Sequence, residues 1–318
     1  MSDIAVGLKA NKKNAYKKET LWQHIMKHKW MYIFLIPGVL YYLVFHYAPM
    51  YGIIIAFKDF NIYKGIMGSQ WVGLEHFERL FKSSEFYTIL RNSLVINVYK
   101  LVFGFPAPII MALLLNEVRN VFFKRTIQTV IYLPHFISWV VVSGLVVSFL
   151  SPSSGVVNLI LKNMGFEPIF FLAKKEYFRG ILVASGIWKE MGWGTVVYLA
   201  ALTGVDPQLY EAARVDGASR WKQTLHITLP GISTTIVVLL LLRLGNILDN
   251  GFEQVFMLYN PAVYEVGDVF ETYVYRMGLV DARFDFSTAV GLFKSVIGAT
   301  LLLSTNYLSK KITDKGLY

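Results

Sequence analysis

The 318-residue sequence contains no cysteine, and charged residues make up only 16% of it. The absence of cysteine excludes disulfides, thiolate metal sites and cysteine nucleophiles, and it says nothing firm about the cellular compartment. The scarcity of charge separates the chain from soluble proteins, in which about a quarter of the residues are charged. Hydrophobic residues make up 55% of the chain instead, so water is not its main solvent.

A nucleotide-binding loop is also missing. No Gly-Lys dipeptide occurs anywhere in the sequence, so the chain lacks the GxxxxGK[ST] pattern that cradles nucleotide phosphates. The sequence shows no convergent set of acid, base or metal-binding residues either, and we predict no catalytic residue and no metal site. If the protein works with ATP, another chain must bind and hydrolyse it.

The hydrophobic residues are gathered into long runs. A helix needs roughly 20 apolar residues to cross a hydrocarbon core about 30 Å thick, and six runs approach or exceed that length. They cover about residues 30–57, 89–115, 126–150, 180–202, 232–248 and 286–308. The runs lack the period-two alternation of membrane strands. The sequence therefore predicts an all-α membrane protein with six transmembrane helices, without inverted repeats or discontinuous helices.

The distribution of charge predicts the orientation. With the N-terminus inside, the inner segments hold 16 Lys and Arg residues against 10 in the outer segments, and the acidic residues run 7 against 13. The positive-inside rule then places both termini in the cytoplasm, together with residues 203–231, here called the polar loop. The net charge of +10 thus reflects membrane topology and not nucleic-acid binding. We divide the chain into a basic cytoplasmic tail, 1–29, a transmembrane domain, 30–308, and a cytoplasmic tail, 309–318.

The polar loop has the local signals of two short helices joined by a turn. Asp206 followed by Pro207 is typical of a helix start, because the aspartate can accept backbone N–H bonds and proline needs no donor there. Gly217 predicts the turn, since glycine reaches positive φ without steric cost. Ser219 should cap a second helix that Pro230 ends. A water-soluble element of defined shape between two spans predicts a docking surface.

The polar loop resembles the signature loop of the permease subunits of binding-protein-dependent ABC importers. The residues that match that signature are Glu211, Ala212, Ala213, Asp216, Gly217, Ala218, Ile227, Leu229 and Pro230. In that family the first helix of the loop sits in a cleft of the ATPase subunit and transmits its movement to the spans. The resemblance implies the type I importer permease fold and an ATPase-coupling role for these residues together with Arg214.

The wider sequence, from about residue 30 to the end, is similar to the carbohydrate-uptake branch of that family, especially permeases for oligosaccharides or polysaccharide fragments. Tyr-Leu-Pro at 132–134 and Ala-Ala-Leu-Thr-Gly-Val-Asp-Pro at 200–207 carry this similarity. The resemblance implies ATP-driven import of a sugar by alternating access through the bacterial cytoplasmic membrane. A permease for peptides or another solute shares the motif, and an ion-coupled secondary transporter is the alternative from a different class.

The resemblance also implies a set of partners. They are a second, different permease, two ATPase subunits that hold ATP and Mg²⁺, an extracytoplasmic solute-binding protein and the lipid bilayer. No cofactor is expected on this chain itself.

Charged residues inside or at the edges of the predicted spans are candidates for a substrate pathway, because a central charge costs about 2.5 to 3.5 kcal/mol on insertion scales. They are Arg91, Lys100, Lys189, Glu190, Arg243 and Lys294. We expect Glu190 to be the acid available as a partner for the deep cations Arg243 and Lys294. The excess of cations fits a path for anionic sugars, ion pairs with the second permease, or a water-lined nonselective cavity.

The predicted substrate pathway combines some of these charges with aromatic and amide side chains. It consists of Trp188, Glu190, Trp193, Arg243, Asn246, Asp249 and Lys294. Aromatic faces can stack on sugar rings, and they are also common in helix packing and at bilayer interfaces.

Overall fold

The computed structural model of this protein describes residues 21–313, and the parts of the two predicted tails beyond them lie outside the described residues. The chain divides into an N-terminal unit, Met1–Ile53, and a larger unit, Ile54–Tyr318. In the N-terminal unit, α1 (Leu21–Lys27) is followed by most of α2 (Lys29–Phe57). The helix α2 begins within one residue of the predicted first span.

The larger unit begins with a small hairpin and continues with helices. Strands β1 (Lys58–Asp59) and β2 (Gln70–Trp71) are antiparallel, with Lys58 opposite Trp71. The helices up to the polar loop are α3 (Gly65–Gly68), α4 (Glu75–Lys82), α5 (Ser84–Glu117), α6 (Val121–Phe136), α7 (Trp139–Leu150), α8 (Val156–Asn163) and α9 (Lys175–Leu202). A 3₁₀ turn, Phe171–Ala173, precedes α9.

The second half of the larger unit contains the polar loop and the last long helix. Its helices are α10 (Pro207–Val215), α11 (Arg220–Gly231), α12 (Ser233–Gly245), α13 (Phe252–Leu258), α14 (Tyr264–Gly267), α15 (Phe270–Tyr275) and α16 (Phe284–Thr313). A 3₁₀ turn, Pro261–Val263, precedes α14, and a π-helical turn, Arg276–Val280, extends α15.

Among the described residues, three helices, α2, α5 and α16, are long and apolar enough to cross a membrane, and the number rises to five if each of two bent pairs is one span. The helical membrane character agrees with the sequence prediction. The six-span count and the orientation stay predictions. The fourth predicted span, 180–202, falls within the 28-residue helix α9, which carries five charged residues and is not among the five.

The third predicted span, 126–150, is wrong as a continuous helix. The helices α6 and α7 meet at an angle of 102°. Pro134 lies in a 3₁₀ turn that ends α6, and Ser138 caps α7 by accepting a hydrogen bond from the Val141 N–H at 3.4 Å. Proline cannot donate to the preceding turn and serine favours a new helix start, so the chain breaks here. The expectation that no helix is discontinuous therefore also fails.

The second bent pair lies at the end of the polar loop. The helix α11 continues one residue past Pro230, to Gly231, and meets α12 at 61° around the buried Ile232. The second helix of the polar loop therefore ends within one residue of Pro230, as the sequence predicts.

The helix α9 packs against α5, α6 and the 3₁₀ turn of Leu133–Phe136. Gly192 makes the contact with α6 possible, because a Cβ atom built there would lie 1.8 Å from the Ile131 carbonyl oxygen. Towards its N-terminal end, α9 contributes Phe178 and Leu182 to a buried apolar cluster with Val255 of α13. The helix α9 is thus held against α6 at one place and against α13 at another, and the cavity described below lies along it.

Candidate docking loop and polar cavity

The first helix of the polar loop starts and ends as its sequence predicts. The Asp206 carboxylate accepts a hydrogen bond from the Gln208 N–H at 2.9 Å, and Pro207 is the first residue of α10. At the other end Gly217 has φ +74°, and its N–H donates to the Arg214 carbonyl at 3.1 Å. The Ala218 N–H donates to the Ala213 carbonyl at 2.8 Å. These two bonds form a Schellman cap, which satisfies carbonyls that the helix end would otherwise leave open.

Side chains hold α10 against α11. The Tyr210 and Thr228 hydroxyl groups lie 3.0 Å apart, and Thr228 is buried. The Gln223 side-chain amide donates to the Ala218 carbonyl at 2.9 Å. Ser219 caps α11 by accepting from the Lys222 N–H at 3.4 Å, as predicted. The two helices therefore form one shaped element.

An ion pair ties the polar loop to a long membrane helix. Arg220, the first residue of α11, pairs with Glu117, the last residue of α5. Earlier in the same helix, α5 contributes Lys100 and Pro108 to the wall of a cavity. One helix thus joins the loop to the cavity wall.

The predicted coupling residues lie mostly at the surface of the polar loop. Glu211, Ala212, Arg214, Asp216, Gly217 and Pro230 are exposed, whereas Ala213, Ala218, Ile227 and Leu229 are half-buried. Sequence reasoning missed two exposed apolar side chains beside them, Val215 at 88% and Trp221 at 70% exposure. Apolar residues within a polar loop were the available signal, because exposed apolar surface there favours a protein contact.

A cavity of about 580 Å³ lies among α5, α7, α9 and the segment that joins α12 to α13. Its polar lining consists of Lys100, Glu190, Arg243, Asn246, Asp249, Asn250 and Gln254, and its aromatic lining of Phe105, Trp139 and Trp193. Sites for small molecules commonly have volumes of about 300–1,000 Å³, so the cavity is large enough for one.

The cavity brings together five of the seven predicted pathway residues, namely Glu190, Trp193, Arg243, Asn246 and Asp249. The other two, Trp188 and Lys294, do not line it. Sequence reasoning missed Phe105, Trp139 and Gln254 as lining residues. Gln254 carried no usable signal, because it lies outside every predicted span and reaches the cavity only through the tertiary fold.

The expectation that Glu190 would pair with Arg243 or Lys294 is wrong. Lys294 forms an ion pair with Glu271 of α15. Glu190 lies 3.4 Å from the ammonium of Lys189 and 2.8 Å from the Nδ1 atom of His135. Lys189 reaches Glu190 although adjacent residues leave a helix about 100° apart, because the lysine side chain is long and flexible.

The Lys189–Glu190 pair is attached to the break between α6 and α7. The Lys189 ammonium donates to the His135 carbonyl at 2.7 Å and lies 5.6 Å from the Trp139 ring centroid. The rings of His135 and Trp193 stack with their centroids 4.7 Å apart. These contacts supply the hydrogen bonds that an interrupted helix needs and fix the break against α9.

Lys100 is held in a polar network at the side of the cavity. Its ammonium donates to the Asn250 carbonyl at 2.7 Å and to the Gln254 side-chain oxygen at 2.8 Å. The Gln254 amide in turn donates to the Leu182 carbonyl at 2.6 Å. The network therefore connects α5, α9 and α13 through buried polar groups.

Arg243 differs from the other cations of this region. Within residues 21–313 its side chain forms no hydrogen bond and no ion pair, although Asp249 and Glu190 are close enough to interact with its charge. The same described residues contain no group of three or more His, Cys, Asp or Glu side chains that could hold a metal ion.

Comparison with known protein families gives a match over two thirds of the chain. The family described as binding-protein-dependent transport system inner membrane component matches residues 104–314, which include the polar loop and most of the cavity lining.

Among curated proteins, Protein LplB of Bacillus subtilis (strain 168) is 48% identical over 93% of this chain and 94% of its own length. The polygalacturonan/rhamnogalacturonan transport system permease protein YteP of the same organism is 48% identical over 95% of this chain and 94% of its own.

Two solved structures are similar to this chain over more than nine tenths of its length. One is a chain of a bacterial ABC transporter involved in the import of the acidic polysaccharide alginate, with a TM-score of 0.86 and 46% identity over 93% of this chain and all of that one. The other is from a bacterial alginate ABC transporter in complex with a periplasmic protein that has an alginate pentasaccharide bound. Its TM-score is 0.86 and its identity 45%, over 94% of this chain and all of that one.

Proposed function

The chain belongs to the family of binding-protein-dependent transport system inner membrane components, and from that premise we propose that it is the permease subunit of an ATP-driven importer that carries an oligosaccharide across the cytoplasmic membrane. It contributes a path and a mechanical connection, and it forms and breaks no covalent bonds. The 46% identity and the TM-score of 0.86 to the alginate transporter chain support the type I importer architecture.

The geometry of the polar loop is the observation that carries this proposal. The helix α10 is capped at both ends and held against α11, which is joined to α5, while Val215 and Trp221 leave apolar surface uncovered. Such a rigid element with exposed apolar residues suits insertion into a cleft of another protein. In an importer that protein is the ATPase, and the residues from Glu211 to Ala218 with Ile227, Leu229 and Pro230 would form the contact.

The partners of this chain follow from the same role. We infer two ATPase subunits that bind ATP and Mg²⁺, a second permease that completes the pathway, and an extracytoplasmic solute-binding protein. A related structure contains a periplasmic protein with bound alginate pentasaccharide, which supports the last of these. Closure of the ATPase pair would move α10, and the helices would rock between inward-facing and outward-facing states. The loaded binding protein must favour one of these states, because only a difference in affinity can shift the equilibrium.

We propose that the cargo is an oligosaccharide that contains uronic acids. YteP is named for polygalacturonan and rhamnogalacturonan transport, and the two similar structures come from importers of alginate. The cavity offers Phe105, Trp139 and Trp193 as faces for sugar rings and several amides and charges for hydroxyl and carboxyl groups.

Reconstitution tests the proposal. The chain is placed in proteoliposomes with its partner permease, ATPase subunits and binding protein, and uptake of labelled uronate trisaccharides (galacturonate, mannuronate and guluronate) is measured with and without ATP. We expect uptake that requires ATP and the binding protein. Uptake by this chain alone, driven by an ion gradient, would instead identify a secondary transporter and contradict the proposal.

A further inference from the structure

The charges around the cavity do not cancel. Four cations and three carboxylates line the cavity, contact a lining residue, or pair with a residue that does. The cations are Lys100, Lys189, Arg243 and Lys294, and the carboxylates are Glu190, Asp249 and Glu271. One positive charge therefore remains for a ligand. The question is which side chain presents it.

Three of the four cations are already engaged. Lys294 pairs with Glu271, and Lys189 pairs with Glu190 and donates to the His135 carbonyl. Lys100 donates to the Asn250 carbonyl and to the Gln254 side chain. Each ammonium has three N–H donors, so Lys100 keeps one that could reach a ligand, but the bonds that these ammonium groups already make fix their positions within the protein.

Arg243 has no such commitment in the described part of the chain. It lies in the last turn of α12, where a cation interacts favourably with the helix dipole, and its side chain lines the cavity. Its five N–H donors match the two oxygens of a carboxylate in a planar, two-bond arrangement that neither a lysine nor an amide can provide.

The residues that follow Arg243 complete a polar strip. The Asn246 N–H donates to the Arg243 carbonyl at 3.2 Å, and the Asp249 N–H to the Asn246 carbonyl at 2.9 Å. These consecutive turns carry all three side chains along the same cavity wall. Asp249 is partly occupied, because its Oδ1 atom accepts from the Gly251 N–H at 3.1 Å. Asn246 and Asp249 therefore provide hydrogen-bonding groups for sugar hydroxyls beside a carboxylate held by Arg243.

We propose that Arg243 is the residue that binds the carboxylate of a uronic acid unit in the cavity and so selects acidic over neutral sugars. This assignment rests on the proposed transport function, and it adds the position in the permease at which charge is recognised. The other cations are held by interactions within the protein, whereas the guanidinium of Arg243 can present its charge to a ligand.

The test compares ligands that differ only in charge. Labelled uronate trisaccharides (galacturonate, mannuronate and guluronate) and their methyl esters are bound at equilibrium to the purified transporter in nanodiscs, with the partner permease and ATPase subunits and without the binding protein. We expect at least one acid to bind about tenfold or more tightly than its ester, as suits a charge-assisted two-bond contact. In Arg243→Gln we expect the ratio of the affinity for the acid to the affinity for the ester to fall to about one. The affinity for the ester should stay unchanged, because the glutamine keeps polarity and loses charge.

Two further variants sharpen the result. Arg243→Lys keeps the charge and loses the planar pair of donors, so we expect an intermediate ratio. Arg283→Gln removes an exposed arginine outside the cavity and should leave the ratio as in the wild type. Assembly of each variant is checked by size-exclusion chromatography and basal ATPase activity. If Arg243→Gln fails to assemble, Arg243→Met takes its place.

Equal weakening of acid and ester in Arg243→Gln, or an unchanged ratio, would overturn the assignment, since Arg243 would then be structural or uninvolved. Wild-type protein that binds acid and ester equally, or neither, would overturn it as well. Failure of the proposed function looks different, because the complete reconstituted system would then show no ATP-dependent uptake of any of these sugars.

Discussion

At the scale of single residues, two glycines are required for opposite reasons. Gly217 has open space around the position of a Cβ atom and is needed for its backbone conformation, φ +74°. Gly192 lies within a helix, and any side chain there would collide with the backbone of α6. The first glycine shapes the polar loop, and the second sets how closely α9 approaches the helix break.

Replacing Gly192 by alanine should destabilise the protein. Alanine favours a helix over glycine by up to about 1 kcal/mol, but its methyl group would overlap the Ile131 carbonyl, and overpacking costs about 1–3 kcal/mol. We expect a lower thermal unfolding midpoint for Gly192→Ala in the purified complex. Gly180→Ala is the matched control, because Gly180 lies in the same helix with no atom within 4 Å of the added methyl group. A midpoint for Gly192→Ala that equals or exceeds that of the control would show that the two helices are not packed this closely.

Replacing Gly217 by valine should impair coupling without removing the subunit from the membrane. A β-branched residue at this φ costs about 1–3 kcal/mol, and α10 would lose its cap. Asparagine tolerates the left-handed region, so Gly217→Asn should stay near wild type. The measurement is ATP-dependent uptake per assembled transporter. Equal uptake by both variants would argue against a need for this turn in coupling.

At the scale of elements, three prolines each follow a widened turn of a helix. Three π-helical turns, Leu43–Tyr47, Lys100–Gly104 and Thr224–Thr228, each end two residues before a proline, at Pro49, Pro106 and Pro230. Proline cannot donate to the carbonyl four residues earlier and its ring crowds that turn, and a wider turn relieves both problems. At Pro230 the helix ends one residue later, at Gly231.

The connection between α11 and α5 gives a prediction about coupling. The Glu117–Arg220 pair is exposed, and exposed pairs contribute only about 0–1 kcal/mol to stability. We therefore expect Arg220→Glu and Glu117→Arg to leave folding and ATP hydrolysis intact and to lower sugar uptake per ATP by about fivefold or more. The double reversal should restore the ratio, because the pair is remade with its charges exchanged.

The matched control for this pair is Lys222→Glu. It makes the same change of charge in the same helix, at an exposed cation that forms no ion pair within the described residues. If the single reversals behave like this control, or the double reversal like the singles, the ion pair does not transmit movement.

At the scale of the whole molecule, the absence of cysteine makes the predicted topology directly testable. Tyr63 and Val215 are 96% and 88% exposed, and the predicted orientation places them on opposite sides of the membrane. Single cysteines introduced by Tyr63→Cys and Val215→Cys can therefore be labelled without interference from native thiols.

A membrane-impermeant maleimide should label the Tyr63→Cys variant in right-side-out vesicles and the Val215→Cys variant only in inverted vesicles. The wild-type chain, which has no thiol, is the background control. Labelling of both positions from the same side would contradict the six-span, N-inside arrangement, and labelling of position 215 from outside would also exclude contact with a cytoplasmic ATPase.

The amino-acid sequence alone determined the helical membrane class and the form of the polar loop. Apolar runs partition into lipid whatever they later contact, and the caps at Asp206 and Gly217 depend only on residues a few positions away. The sequence also contains local signals for the break at Pro134, because this proline is followed by the serine cap Ser138. The long, mainly apolar run around them favoured a single continuous span instead.

Only the tertiary structure decided the cavity and its charges. Lys100 and Gln254 meet across 154 positions of the chain, and His135 and Glu190 across 55, so no local pattern indicates either contact. The same holds for Lys294, which lies 23 positions from its partner Glu271 and does not line the cavity. Ion pairing depends on distances between atoms of separate helices, and those distances are fixed by how the helices pack and not by the order of residues within any one of them.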